Sequence, residues 1–273
     1  MNILRPNLLK RTLLVLWLVL LIFTTNAQNP GSGLIFGING GISKMMSEGN
    51  SLFSDRIKEF DQNAGSAFDL ELSKLLFNHF ELGTSVGISN IEGTLDNPIQ
   101  SNDKYRIQGD YFIRDLQGPL EYSNRLISQK FFVGYYFRSF NNISQTLSPE
   151  PFLRAGLGYI SYGVELFAND ESTSGKGTDN YADLSMSSTL IFTTVGVKSY
   201  ISPNFFVNVT YSLNYTNYDY LDAVFNFDSN EERLGYNGMY SEIKVGLFYQ
   251  FAGKEKRGGG AKNGSGPNLP FSR

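Results

Sequence analysis

The sequence predicts an all-β protein, an eight-stranded antiparallel transmembrane β-barrel of the up-and-down type. Three observations favour this fold: apolar residues alternate with small polar ones, aromatic residues gather where the alternation ends, and short connections alternate with long ones. The chain of 273 residues contains 22 Phe, 16 Tyr and 28 Gly, and only 18% of its residues are charged. This composition is unlike that of a disordered chain, which has few aromatic residues and a high net charge.

Residues 1–27 have the features of a secretory signal peptide. Basic residues precede an uncharged apolar run over residues 13–23, and a polar stretch ending at Ala27 follows. A membrane-spanning helix would need an apolar run of about 20 residues, roughly twice the length found here. We therefore expect cleavage after Ala27 and a mature chain that begins at Gln28.

Composition also excludes several kinds of site. The chain has no Cys and one His, which excludes disulfides and thiolate chemistry and leaves little for acid–base catalysis. Without the three basic residues of the first segment, and without the five basic and one acidic residues of 252–273, residues 28–251 hold 15 basic and 25 acidic residues. Such an acidic body predicts no nucleic-acid partner, because nucleic acid requires a basic face.

Eight segments alternate with the period of two that is typical of strands. In residues 205–216, apolar residues occupy every odd position and, from Asn208 on, small polar residues occupy the even ones. Residues 239–251 alternate almost as clearly. Six weaker segments precede these two, at residues 34–43, 68–73, 81–89, 130–137, 153–159 and 191–198.

The predicted connections alternate in length. Long ones cover residues 44–65, 92–119, 168–186 and 219–237, and shorter ones cover 77–79, 138–149 and 202–204. Outer-membrane barrels have short periplasmic turns and long outer loops. The pattern therefore predicts that residues 28–251 form a barrel in the outer membrane, with both ends in the periplasm.

A soluble β-sandwich, with its apolar face inside, is the alternative to a barrel with its apolar face towards lipid. The polar face favours the barrel, because it is dominated by small residues rather than by Lys and Glu. Aromatic residues at strand ends favour it too, since such barrels carry aromatic girdles at both lipid–water boundaries. These residues are Phe77, Phe80, Tyr135, Tyr136, Phe137, Tyr249 and Phe251.

Charged residues on the polar face of the predicted strands are expected to line the lumen. They are Asp69, Glu71, Glu81, Lys130, Arg154, Lys198, Glu242 and Lys244. Side chains about fill the interior of an eight-stranded barrel, and buried charges are costly unless they are paired. We therefore expect a paired network that fixes the barrel, with a gated ion path as the alternative.

The predicted barrel ends at Tyr249 and Phe251, and this aromatic end resembles the signal that barrel-assembly machinery reads. Residues 252–273 follow, rich in Gly, Asn, Ser and Pro and nearly without apolar residues. This composition predicts a disordered periplasmic tail with a positive charge.

Candidate chemistry is sparse. His79 lies in the tight turn between the second and third strands, where a solvated turn histidine is the simplest interpretation. Asp219, Asp222 and residues 228–232 could offer oxygen ligands to calcium, but the spacing of a calcium loop is missing. The sequence therefore predicts no enzyme, no cofactor and no metal site.

Three segments resemble one family of small outer-membrane barrels. They are YSLNYTNYDYLD at residues 211–222, PFLRAGLG at 151–158 and SPNF at 202–205. The family includes the PorG-type component of the type IX secretion system, and the resemblance covers roughly residues 120–250. The positions that match its loop are Asp219, Tyr220, Leu221 and Asp222. The resemblance implies a non-enzymatic barrel that contacts a periplasmic ring of the secretion machinery.

The leading hypothesis is therefore a structural or docking component of the outer membrane. Its expected partners are outer-membrane lipid, the barrel-assembly machinery and a periplasmic secretion-ring protein. A surface-binding protein that uses the long outer loops is one alternative, and a narrow porin is another. An enzyme dependent on His79 is the weakest of the four hypotheses.

Overall fold

The computed structural model describes residues 33–49, 61–76, 79–96, 105–107, 111–112, 119–137, 148–168, 171–172, 186–202, 204–217, 221, 225–226 and 237–251. The predicted signal peptide and the predicted tail lie outside the described residues. Eight long strands dominate: β1 (Leu34–Gly49), β2 (Gly65–Leu76), β3 (Phe80–Leu95), β4 (Leu120–Tyr136), β5 (Glu150–Ala168), β6 (Met186–Tyr200), β7 (Phe205–Thr216) and β8 (Asn237–Gln250). Within the described ranges, no helix is long and apolar enough to cross a membrane.

The eight strands form a closed antiparallel barrel. Each strand pairs with the next one along the chain, and β8 pairs with β1 to complete the circle. Closure leaves no edge strand, so backbone N–H and C=O groups are paired between all neighbouring strands in the membrane-spanning part of the wall. The predicted fold class is confirmed.

Large apolar side chains cover the outside of the barrel. Val133 is 54% exposed, Leu157 is 65% exposed and Val245 is 57% exposed. A soluble monomer rarely exposes an apolar surface of this extent, whereas an outer-membrane barrel carries an apolar band that faces lipid. The molecule is therefore a membrane-spanning barrel of the outer-membrane type, and the predicted orientation of its two faces is correct.

Exposed or half-buried aromatic residues surround the end of the barrel that carries the short turns. Ring contacts join Phe80 to Tyr135 and Tyr135 to Phe137 on one side of the barrel, at centroid distances of 5.4 and 5.5 Å. On the other side, Tyr249 contacts Phe251 at 4.8 Å. The girdle prediction is wrong for Tyr136, which is fully buried in the lumen because alternation turns it away from its two neighbours. Phe77 lies outside the described residues.

Several strands are longer than the sequence predicts, and the excess lies mainly at their outer ends. β4 begins at Leu120, where residue 130 was predicted, and β5 continues to Ala168, where residue 159 was predicted. In these outer extensions the pattern is inverted, because apolar residues such as Leu120 and Ile160 face the lumen and polar residues such as Arg125 face outward. The apolar-out alternation that identifies a membrane strand is therefore absent there. Only β7 has the predicted bounds at both ends.

Short strands lie in the outer connections. They are Asp61–Asn63, Tyr105–Ile107, Tyr111–Phe112, Glu171–Ser172 and Phe225–Asn226. Asp61–Asn63 lengthens the wall by pairing with β3. Phe225–Asn226 pairs with Tyr105–Ile107, which pairs in turn with Tyr111–Phe112. The connection after β7 is thereby joined to the connection after β3.

The lumen is filled in three layers. An inner cluster at the periplasmic end consists of Ile35, Leu75, Tyr136, Phe152, Tyr200, Phe206 and Phe248. An outer cluster at the opposite end contains Met45, Ile91, Leu120, Tyr122, Leu126, Ile160, Tyr162, Leu190, Leu221 and Tyr240. Charged and hydroxyl side chains occupy the layer between them. Glycines make room for the rings, since a Cβ on Gly37 would overlap the ring of Phe248.

Candidate functional site in the barrel lumen

The middle layer of the lumen contains all eight charged residues that the sequence predicts there. Each is at most 6% exposed, and each lies on the inner face because its position has the parity of the polar set on its strand. In low-dielectric surroundings these charges need partners. The contacts divide them into three groups, centred on Arg154, Glu242 and Lys198.

Arg154 of β5 holds two carboxylates. Its guanidinium lies 2.9 Å from Glu71 Oε1, and its Nε lies 3.0 Å from Glu81 Oε2. The rings of Phe132 and Phe152 lie 4.6 and 4.7 Å from the guanidinium carbon. A planar guanidinium suits this arrangement, because it can donate several hydrogen bonds in its plane while rings stack on its faces.

Glu81 is fully buried and receives two further hydrogen bonds. Tyr136 Oη donates to Oε2 at 2.9 Å, and Ser73 Oγ donates to Oε1 at 2.6 Å. These donors come from β4 and β2, the two neighbours of β3. Both oxygens of Glu81 are therefore satisfied without water.

Glu242 of β8 is the centre of the second group. Lys130 Nζ lies 2.8 Å from Glu242 Oε2, and Lys244 Nζ lies 3.0 Å from the same oxygen. Lys244 also pairs with Asp69. Two other side chains donate hydrogen bonds to Glu242: Ser89 at 2.6 Å and Asn214 at 3.2 Å. These contacts connect the walls of the barrel across its interior.

Lys198 forms the third group with Glu150, which the sequence analysis missed. The two charged atoms are 3.3 Å apart, and Lys198 Nζ lies 4.2 Å from the ring centroid of Tyr136. Glu150 begins β5, so no alternating residue precedes it. A signal was nevertheless available, because Glu150 has the same parity as the inward-facing Arg154.

Leu221 is the member of the family-matched loop that the structure describes. It is fully buried in the outer cluster, and Asn124 Nδ2 donates a hydrogen bond of 2.9 Å to its carbonyl oxygen. The other matched positions, Asp219, Tyr220 and Asp222, lie outside the described residues. Leu221 therefore contributes an apolar side chain to the outer mouth of the lumen, a contact that strand periodicity could not reveal.

The space left in the middle layer is small. A cavity of about 30 Å³ lies among Asn39, Asp69, Lys130, Arg154 and Lys244. A polar cavity needs at least about 10–15 Å³ to hold a water molecule, so this space is large enough for water. The arrangement can thus fix the barrel wall and hold water, but it offers no room for an organic substrate.

His79 is bound to the barrel rim. Its Nδ1–H donates to the carbonyl oxygen of Tyr136 at 2.9 Å, and its ring stacks on Tyr135 with a centroid distance of 5.8 Å. The side chain is half-buried in the turn. These two contacts hold this turn histidine against the barrel rim and partly shield it from solvent.

Metal ligands do not gather in the described part of the chain, where no group of three His, Cys, Asp or Glu residues could hold an ion. The candidate calcium ligands Asp219, Asp222 and residues 228–232 lie outside the described residues. The terminal aromatics Tyr249 and Phe251 lie at the inner rim, where Phe251 N donates to Leu34 O at 2.8 Å.

No protein-family model and no curated protein sequence matches the chain. Among solved structures, it is similar to Neisserial surface protein A, with 13% identity, a TM-score of 0.41, and coverage of 80% of this chain and 97% of that one. It is also similar to OprG from Pseudomonas aeruginosa, with 10% identity, a TM-score of 0.45, and coverage of 81% and 97%. A third, the outer membrane protease OmpT from Escherichia coli, has 12% identity, a TM-score of 0.37, and coverage of 83% and 100%.

At these values the likeness carries neither an activity nor a ligand over to this chain. The assignment follows from the molecule itself, from a closed wall of eight strands, an apolar exterior and a filled interior. The chain is a small eight-stranded β-barrel protein of the outer membrane.

Proposed function

We propose that the protein is a non-enzymatic, non-conducting scaffold of the outer membrane that serves as a structural or docking component. The filled lumen is the observation that carries this proposal. Apolar clusters occupy both ends of the interior, and paired charges occupy its middle. Because packed side chains fill its interior, the barrel has its outer surfaces and its extramembrane segments available for function.

The pairing of the charges argues against a narrow porin. To open a path, at least one buried ion pair would have to separate within the lumen. Leaving one partner of such a pair unpaired costs about 3–5 kcal/mol. A cost of this size makes an open state a minor species in the absence of a ligand that compensates for it.

Planar-bilayer recording tests this part of the proposal. We expect the purified barrel to insert without raising the conductance above that of the bare bilayer. A porin of known conductance, inserted under the same conditions, serves as the control for the assay. Stable ion-selective steps from the wild-type protein would overturn the proposal in favour of the porin.

The resemblance to the PorG-type family supports docking to a periplasmic ring of a type IX secretion apparatus. The positive tail, residues 252–273, is the segment that would meet such a partner. Affinity capture with the full chain and with a chain ending at residue 251 tests this, and we expect a periplasmic protein only with the full chain. A full-length variant with Lys254, Lys256 and Arg257 changed to Gln tests whether capture depends on the charge of the tail or only on its length. Capture of no partner by the full chain would contradict the role.

Surface binding is the second candidate, and the organisation of the outer connections favours it. The connection after β7 is tied to the one after β3 by strand pairing, and Leu221 anchors it in the mouth. Loops positioned by a rigid scaffold are a common basis for binding. Shortening the connection between residues 96 and 119, with a matched shortening between 50 and 60 as the control, should reduce cell-surface binding only in the first variant. Equal binding by all forms would count against this candidate.

The barrel-assembly machinery is a further proposed partner, and the inner end of β8 is the segment that it would contact. Phe251 is 48% exposed in the girdle. We expect Phe251→Ser to lower the fraction of folded, membrane-inserted protein. Phe137→Ser is the matched control, because Phe137 is 59% exposed in the same girdle but does not follow the last strand. Equal losses in both variants would show that girdle hydrophobicity, and not a terminal signal, is responsible.

A further inference from the structure

A groove of about 430 Å³ lies on the outside of the barrel, on the face formed by β3, β4 and β5. On these strands the apolar belt ends at Ile88 and Ile127, which are 48% and 49% exposed. The next outward-facing row of residues in register consists of Asn90, Arg125 and Gly163. The groove therefore begins where hydrocarbon gives way to lipid headgroups.

Arg125 is the cation of this groove. Its side chain is exposed, and no described residue forms an ion pair or hydrogen bond with it. The bases of the middle layer are all paired with carboxylates. The N–H donors of Arg125 are therefore available to a ligand. At this depth the molecules beside the barrel are lipids.

Gly163 lines the groove beside Arg125. It is the cross-strand neighbour of Arg125 on β5, and a Cβ placed there would meet no atom within 4 Å. The absent side chain leaves an open recess in the groove lining, beside the backbone of Arg125. Three hydrogen-bonding side chains border it: the hydroxyl of Ser161, the amide of Asn90 and, one row farther from the belt, the carboxylate of Glu165.

We propose that this groove binds the phosphorylated sugar headgroup of an outer-leaflet glycolipid, with Arg125 on the phosphate. A guanidinium can donate two parallel hydrogen bonds to a phosphate. Glu165 repels a phosphate but accepts hydrogen bonds from sugar hydroxyls, so it favours a headgroup with sugar beyond the phosphate. The volume lies within the range of about 300–1,000 Å³ that is usual for small-molecule sites, and the belt below it already faces the acyl chains.

Native mass spectrometry of the detergent-purified barrel, titrated with a phosphorylated glycolipid and with its dephosphorylated form, tests the proposal. We expect the phosphorylated lipid to be retained, and the dephosphorylated one at least fivefold less. Arg125→Gln removes the charge, and Gly163→Val fills the recess while keeping the charge. Each variant should lower retention of the phosphorylated lipid at least fivefold.

Two matched variants serve as controls. Lys44 is an exposed cation on the outer part of β1, away from the groove, and Gly40 is a lipid-facing glycine with equal space around its Cβ position. Lys44→Gln and Gly40→Val should retain the lipid as the wild type does. Unchanged retention in Arg125→Gln, equal loss in Lys44→Gln, or equal binding of the dephosphorylated lipid would overturn the proposal. Displacement of the lipid by millimolar inorganic phosphate would also overturn it, because the site would then be one for free anions.

Discussion

The two ends of the lumen are closed by different means. At the periplasmic end, every member of the inner cluster belongs to one of the eight strands or lies in their register. At the outer end, Leu221 arrives from the connection after β7 and completes a cluster that the strands leave open. The inner closure is therefore part of the barrel wall, whereas the outer closure depends on how a loop folds back.

This difference indicates that the barrel depends on the inner closure for its stability, whereas the outer closure can change without loss of the barrel. Inner-cluster and Arg154 contacts bring together residues from neighbouring and facing strands, so they form only when the barrel closes. Leu221 and its hydrogen bond to Asn124 could open while the wall stays intact, since local opening costs less than global unfolding. Substitutions at the inner end should therefore destabilise the whole barrel, whereas substitutions at the outer end should have smaller and local effects.

The largest effect is expected from Arg154→Met. The change leaves Glu71 and Glu81 buried without their shared cation, and removing one partner of a buried ion pair costs about 3–5 kcal/mol. Denaturant unfolding in detergent micelles measures the free energy of unfolding. Lys44→Met, at an exposed site, should change it by no more than about 0.5 kcal/mol. A stability equal to that of the wild type would show that the network is not needed to hold the barrel.

Leu221→Ala should be less costly and local. Truncation of a buried leucine usually costs about 2–5 kcal/mol, and we expect about 2 kcal/mol here because a loop can collapse into the space. Hydrogen exchange should accelerate around Leu120 and Tyr122 but not around Phe206. Faster exchange at both ends would contradict the independence of the two closures.

Gly37→Val tests the space under the inner cluster. The new side chain would overlap the ring of Phe248, and overpacking of this kind costs about 1–3 kcal/mol. Gly40→Val is the matched control, since a Cβ at Gly40 meets nothing within 4 Å. Equal unfolding free energies for the two variants would show that the inner cluster has more room than its packing indicates.

Asn124→Ala should have the smallest effect. It removes the hydrogen bond to Leu221 O, and a hydrogen bond of this type contributes about 1 kcal/mol. The expected result is easier proteolysis of the connection after β7, with unchanged global unfolding. Asn90→Ala, on the outer face of the neighbouring strand, provides the comparison. Unaltered proteolysis would mean that Leu221 is held by apolar packing alone.

Periodicity predicted much of the fold and part of the site. It placed β7 at residues 205–216 and assigned the eight lumen charges to the inner face. It failed at Glu150, which follows a loop, and in the outer extensions of β4 and β5. In those extensions apolar residues face the lumen and polar residues face outward, which is the reverse of the membrane-facing pattern. It also could not show that Leu221 enters the mouth, because loop residues carry no period.

The sequence by itself determined which face of the wall each strand residue occupies, because successive side chains in a strand point to opposite sides. The tertiary structure decided which charges meet. Lys130 and Glu242 are 112 positions apart along the chain and form a pair of 2.8 Å. Their heights in the lumen depend on the stagger between strands when the barrel closes, and that stagger is a property of the whole sheet.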